Sequence, residues 1–125
     1  MKTLLVEDNA DTSIMLAKGL EMAGCKVRTV GTVAEALNIL IQESFDVIVS
    51  DVGLPDGHGI GLMHGVRGFC DTPAIALTAF SAPADIARCV EAGFDAHLAK
   101  PSEIGVIYEE MRRLVRERKA KKLIS

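Results

Sequence analysis

At 125 residues the chain is one domain's worth, long enough to bury roughly two-thirds of its unfolded surface without disulfide or metal staples. Its 49% hydrophobic and 25% charged residues suit a globular protein; no apolar run nears the ~20 residues of a membrane span, and the acidic turn after Val6 spoils a signal peptide, so a cytoplasmic location without membrane insertion is expected. The net charge of −3 hides a split: residues 112–122 hold seven basic side chains and one acidic, leaving 7 basic and 16 acidic elsewhere, a body too acidic for direct nucleic-acid binding.

In chain order, five short apolar runs predict strands, at 4–6, 27–30, 45–49, 74–77 and 96–99. Several are continuous rather than alternating, as expected of a parallel sheet covered on both faces. Each is followed by a helical pattern. The first helix is predicted from about Asp11-Thr12-Ser13 to a stop at Gly24. The second opens on a capping box, Thr32 with Glu35, and carries Val33, Ala36, Leu37, Leu40 and Ile41 on one face. A third, within 60–67, is weakened by Gly61 and Gly65. Pro83 suits the first turn of a fourth, with Ile86 and Val90 pointing one way and Gly93 ending it. The last places Ile104, Ile107, Met111, Leu114 and Val115 at core spacing and runs into the basic residues, which read as a solvated helix end or linker. Strand and helix alternating five times predict an α/β domain with right-handed crossovers and helices on both faces.

Cys25, Cys70 and Cys89 are odd in number and lack C-x-x-C spacing, and His58, His64 and His97 form no ligand pattern. A disulfide framework or zinc site is therefore not expected.

In a sheet of this kind ligands bind beyond the carboxyl ends of the strands, beside the switch in strand order. The predicted strands run out at Glu7 and Asp8, at Asp51, at Thr78 and at Lys100. In the order 2-1-3-4-5 the first and third strands are neighbours, which gathers Glu7, Asp8 and Asp51. Taken singly, each is ordinarily a turn former, a cap or an exposed charge. Together they are three carboxylates repelling by roughly 4 kcal/mol per pair at 4 Å for an effective dielectric near 20, so a cation is expected among them. Hard oxygen donors suit Mg²⁺, and Lys100 brings a second positive charge. A carboxylate nucleophile, a metal, a lysine and a hydroxyl at Thr78 are the parts needed to accept a phosphoryl group.

Four segments carry a resemblance: Leu5-Val6-Glu7-Asp8-Asn9; Ser50-Asp51-Val52-Gly53-Leu54-Pro55-Asp56-Gly57; Thr78-Ala79; and Gly93-Phe94-Asp95-Ala96-His97-Leu98-Ala99-Lys100-Pro101. Over residues 2–116 the chain resembles a response-regulator receiver domain of two-component signalling, and residues 50–57 are similar to receivers of hybrid histidine kinases. The resemblance implies a flavodoxin-like fold, with residues 1–118 as the domain and 119–125 as a basic tail or linker. It implies Asp51 as phospho-acceptor, Asp8 and Asp51 as direct Mg²⁺ ligands beside Glu7, the Gly53 carbonyl as a further ligand, and Thr78 and Lys100 at the phosphoryl group. The donor would be a histidine kinase or a histidine phosphotransfer protein, and the output a downstream protein partner. Such a domain catalyses at most its own phosphorylation and dephosphorylation and is no turnover enzyme.

His97 stands where a Tyr or Phe usually acts as switch partner to Thr78, and Ser102 where Phe is usual. An imidazole there is either a pH-responsive switch or a surface histidine that never moves. The rival readings have specific weaknesses. A flavin binder needs a glycine- and hydroxyl-rich loop after the first strand, where Glu7-Asp8-Asn9-Ala10-Asp11 stands. An aspartate-nucleophile phosphohydrolase typically has a second Asp where Gly53 is. A degenerate receiver that only binds partners usually loses one of the acid, Thr or Lys positions, and none is lost here.

Overall fold

The computed structural model describes residues 1–54, 57–79 and 82–124; Pro55 and Asp56 of the motif after Asp51, and Ser125 of the tail, lie outside the described residues. The elements are β1 (Lys2–Val6), α1 (Ala10–Met22), β2 (Lys26–Val30), α2 (Val33–Gln42), β3 (Val47–Asp51), the two-residue strands β4 (Gly53–Leu54) and β5 (Gly57–His58), α3 (Gly59–Arg67), β6 (Ala74–Thr78), α4 (Pro83–Ala92), β7 (Ala96–Ala99) and α5 (Ile104–Ile124). Five strands form one parallel sheet in the order β2-β1-β3-β6-β7, the expected 2-1-3-4-5 once the short β4–β5 hairpin is set aside.

Period-two alternation divides the core. Leu4, Val6, Ile48, Ala74 and Ala76 face Ala36, Ile39 and Leu40 of α2, Leu62, Met63 and Val66 of α3, and Cys89 and Ala92 of α4. Leu5, Val47, Val49, Ile75 and Leu77 face Leu16 and Leu20 of α1 and Ile107, Met111 and Leu114 of α5. Each fully buried Leu or Ile contributes about 1.5–3 kcal/mol, so these two layers hold the strand ends in register.

The predicted helix faces need two corrections. In α2, Ile41 is exposed and Ile39 is buried in its place. In α4, Val90 is exposed and Ile86 only half-buried, while Cys89 and Ala92 pack inward. Both are rotations of the buried face by a residue or two, which apolar spacing alone does not resolve where seven of ten positions in α2 and six of ten in α4 are apolar. β3 extends two residues beyond the predicted 45–49, because Ser50 and Asp51 continue the ladder with Ala76 and Leu77. β2 is an edge strand with exposed Lys26, Arg28 and Thr29, not a strand covered on both faces.

α3 forms despite Gly61 and Gly65, since Leu62, Met63 and Val66 are fully buried. Its last residue, Arg67, is a junction. The guanidinium donates to Gly93 O at 3.0 and 2.8 Å, to Thr72 O at 2.7 Å and to Cys70 O at 3.3 Å, and pairs with Asp95 at 3.1 Å. Gly93 ends α4 at φ 115°, a left-handed conformation, and a β-carbon there would stand 2.7 Å from Arg67 Cγ. α5 runs without a break past the expected division after residue 118. Arg118 donates to Asp71 at 2.6 Å, whereas Lys119, Lys121, Lys122 and Leu123 are exposed.

Candidate phosphoryl-acceptor site

At the carboxyl edge of the sheet, Glu7 follows β1 and Asp51 ends β3. The parallel register that sets Val6 beside Ser50 brings the two carboxylates to one edge. Asn9 starts α1 there: its side chain accepts from Thr12 N at 2.9 Å, and its N–H donates to Glu7 Oε1 at 3.4 Å. Carboxylate oxygens of Glu7, Asp8 and Asp51 come within 4.8 Å of one another. Glu7 is buried and Asp51 half-buried, while Asp8 is exposed.

Lys100, the first residue after β7, reaches in from the other side. Its Nζ lies 3.0 Å from Asp51 Oδ2 and 3.4 Å from Glu7 Oε2, and its backbone N–H donates to Thr78 O at 2.8 Å. Thr78 is buried at the end of β6, next to β3 in the sheet. Burial, and then the charge of Asp51, push the Glu7 carboxyl above its ordinary range, against the pull of Lys100 and the Asn9 N–H. For Lys100, burial acts to lower the ammonium's pKa. The hydrogen bond and charge of Asp51, with the charge of Glu7, outweigh it and hold the group above its usual value. The site is thus an acidic recess with one fixed ammonium facing two of its three carboxylates.

Gly53 lies two residues past Asp51 and opens β4, pairing with His58. His97 is exposed on β7, opposite Ala76, while Ala96 and Leu98 on alternate positions pack toward α5. The Lys100–Pro101 peptide is cis, and Ser102 Oγ donates to Ala99 O. Beside Lys100 a groove of about 350 Å³ runs between α1 and α5, lined by Met15, Leu16, Leu77, Pro101 and Ile107 among others.

Two residues near Asp51 were not singled out from the sequence. Ser50, fully buried, donates its hydroxyl to Asp51 O at 2.9 Å. Gly59 lies against the same carbonyl; in the sequence it is one of five glycines between positions 57 and 68, with nothing to set it apart.

The family model for the response regulator receiver domain matches residues 3–112. The chain belongs to that family. This receiver domain is 33% identical over 117 residues to the KDP operon transcriptional regulatory protein KdpE of Escherichia coli (strain K12), covering 94% of this chain and 52% of that protein. It is 33% identical over 112 residues to the sensor histidine kinase RcsC of the same organism, covering 89% of this chain and 12% of that protein. The chain therefore spans about half of one relative and a small fraction of the other. Among solved structures, the signal receiver domain of a signal transduction histidine kinase from Syntrophus aciditrophicus is similar at 31% identity and a TM-score of 0.85, over 93% of this chain and 90% of that one. The chemotaxis protein CheY4 of Vibrio cholerae is similar at 30% identity and a TM-score of 0.84, over 90% and 97%. A receiver domain is a phospho-accepting signalling module of two-component systems, and this chain is one; no helix among the described residues is long and apolar enough to cross a membrane.

Proposed function

We infer that the domain takes a phosphoryl group onto Asp51 from a phosphohistidine donor and changes a partner-binding surface in response. The observation that carries this reading is the Lys100 ammonium 3.0 Å from Asp51 in a recess shared with Glu7 and Asp8. Phosphoryl transfer is mostly positioning and charge stabilisation, and a carboxylate half-sheltered beside a fixed cation and open on the Asp8 side suits it. Thr78 is read as the hydroxyl donor to the phosphoryl oxygens. The assembly of acid pair, acceptor, threonine and lysine at one edge favours the active module over one that only binds.

The donor set fits Mg²⁺. Asp8 and Asp51 would hold it with the Gly53 carbonyl, and it would supply charge neutralisation for the attacking carboxylate and the incoming phosphoryl group. Glu7, engaged by Lys100 and the Asn9 N–H, would orient rather than ligate. The groove beside Lys100 and the exposed Met15 and Ile14 on α1 give a kinase or phosphotransfer protein apolar surface next to the acceptor. Residues 1–118 form the receiver unit in this reading and 119–125 a basic tail or linker. Thr78 and His97 stand at the family's switch positions; the exposure of His97 favours an imidazole that stays at the surface, with Thr78 as the responding member.

Incubation with acetyl phosphate and Mg²⁺ should add one phosphoryl mass, labile to hydroxylamine, to the wild type and none to Asp51→Asn. Labelling of the variant at the wild-type rate would remove Asp51 as acceptor.

A further inference from the structure

The N-terminus of α3 closes on the back of the acceptor residue. Gly59 N donates to Val52 O at 2.7 Å, and a β-carbon on Gly59 would stand 2.8 Å from Asp51 O and 3.1 Å from Val52 Cα. Carbon contacts settle at about 3.5–4.0 Å. Both obstructing atoms are main chain, so no rotamer change relieves them. Buried Phe94 is already in van der Waals contact with the same position, its Cζ 3.5 Å from the added carbon, and leaves little slack there. On the same carbonyl, the Ser50 hydroxyl donates at 2.9 Å, and Val52 N donates across to Leu77 O at 3.2 Å.

We propose that Gly59 is a positioning residue for phosphoryl acceptance, its bare Cα allowing α3 to press on the Asp51 peptide and hold that carboxylate against Lys100. The proposal rests on Asp51 being the acceptor. A side chain at 59 must force the Asp51 peptide and the first turn of α3 apart by several tenths of an ångström, and misplacement of a reacting group by about 1 Å lowers a rate on the order of 10²-fold. The other two glycines of α3 are natural controls. A β-carbon on Gly61 meets nothing within 4 Å, and one on Gly65 meets only the end of the Leu37 side chain at 3.0 Å.

The experiment measures labelling by acetyl phosphate with Mg²⁺, by intact mass, in Gly59→Ala, Gly61→Ala and Gly65→Ala, with denaturant unfolding of each. Gly59→Ala should label at least tenfold more slowly under conditions where it is folded, with the other two within twofold of wild type. Adding Phe94→Leu, which gives the new methyl room to withdraw, should restore at least threefold of the lost rate. Labelling of Gly59→Ala at the wild-type rate, or an equal loss in Gly65→Ala, overturns the proposal. If Gly59→Ala does not fold, Ser50→Ala is read instead: a loss of threefold or more supports the fixed carbonyl, and the wild-type rate overturns it. An unlabelled wild type, or a labelled Asp51→Asn, brings down the acceptor reading and this proposal together, whereas a normal wild type with an unaffected Gly59→Ala brings down this one alone.

Discussion

Three carboxylates share the recess, and their surroundings give them different work. Both Glu7 oxygens already have donors, Lys100 on one and the Asn9 N–H on the other, whereas Asp8 is exposed at the mouth. Asp8→Asn should therefore weaken Mg²⁺ binding at least tenfold, and Glu7→Gln by clearly less. Calorimetric titration checks this, and equal unaltered affinity in both variants would place the metal elsewhere. His97 belongs to the same scale. Exposed as it is, it should leave the pH profile of phosphotransfer between 5.5 and 8 the same in wild type and His97→Tyr. A profile that flattens in the variant would show the imidazole turning inward when charged. The gathering of Glu7, Asp8, Asp51 and Lys100 at one edge was legible in the sequence because each follows a predicted strand, and strand order decides which strand ends meet. What Asn9, Ser50 and Gly59 do was not, because their work is main-chain hydrogen bonding and close approach, which leave no pattern of spacing.

At the scale of an element, α5 departs furthest from a solvated end. Arg118 is only 27% exposed at its side chain and meets Asp71, 47 residues earlier, whose carboxyl the Arg118 hydrogen bond lowers against a smaller opposing effect of burial. A carboxylate with a depressed folded pKa adds stability that is present above its unfolded value and lost as pH falls through the folded one. Arg118→Ala should therefore be less stable than wild type near pH 7, by no more than about 1 kcal/mol because Asp71 is mostly exposed. The difference should begin to shrink as pH drops below about 3.8, the ordinary Asp value, and vanish only below the lowered folded value. Urea unfolding followed from pH 7 down to pH 2 measures it, and a gap that stays constant over the whole range would assign the loss to packing of the arginine stem. The helix itself was legible from the spacing of Ile107, Met111 and Leu114. The contact was not, since it joins segments with no local relation.

Across the whole molecule, the site edge is held from the opposite end by Arg67. It ties the end of α3, the loop before β6 and the turn between α4 and β7, and Asp95 in turn accepts from Ala74 N at 2.9 Å. Arg67→Ala strands several carbonyls in half-buried positions and should cost about 3 kcal/mol, the range for hydrogen bonds to a charged group. Equilibrium denaturation would show it, and a loss under 1 kcal/mol would mean that water replaces the guanidinium. The parallel sheet and both helical layers could be read from the apolar runs, because a strand covered on two faces has no polar side to disguise it. The β4–β5 pair could not, being two residues a side, too short for any apolar period to show.

α5 has the geometry of a lever. Its first turn follows the segment after Lys100, and about 14 residues further on, at roughly 1.5 Å each, Arg118 rests on Asp71 some 21 Å away. A tilt of about 5° at the first turn would carry that far contact roughly 2 Å, enough to part a hydrogen bond. A small tilt at the site end is thereby converted into a contact made or broken at the far pole. Because that contact is worth no more than about 1 kcal/mol, its open state is within reach of thermal energy. The helix is gripped along its middle by Ile107, Met111 and Leu114, and Arg118 latches its far part to Asp71.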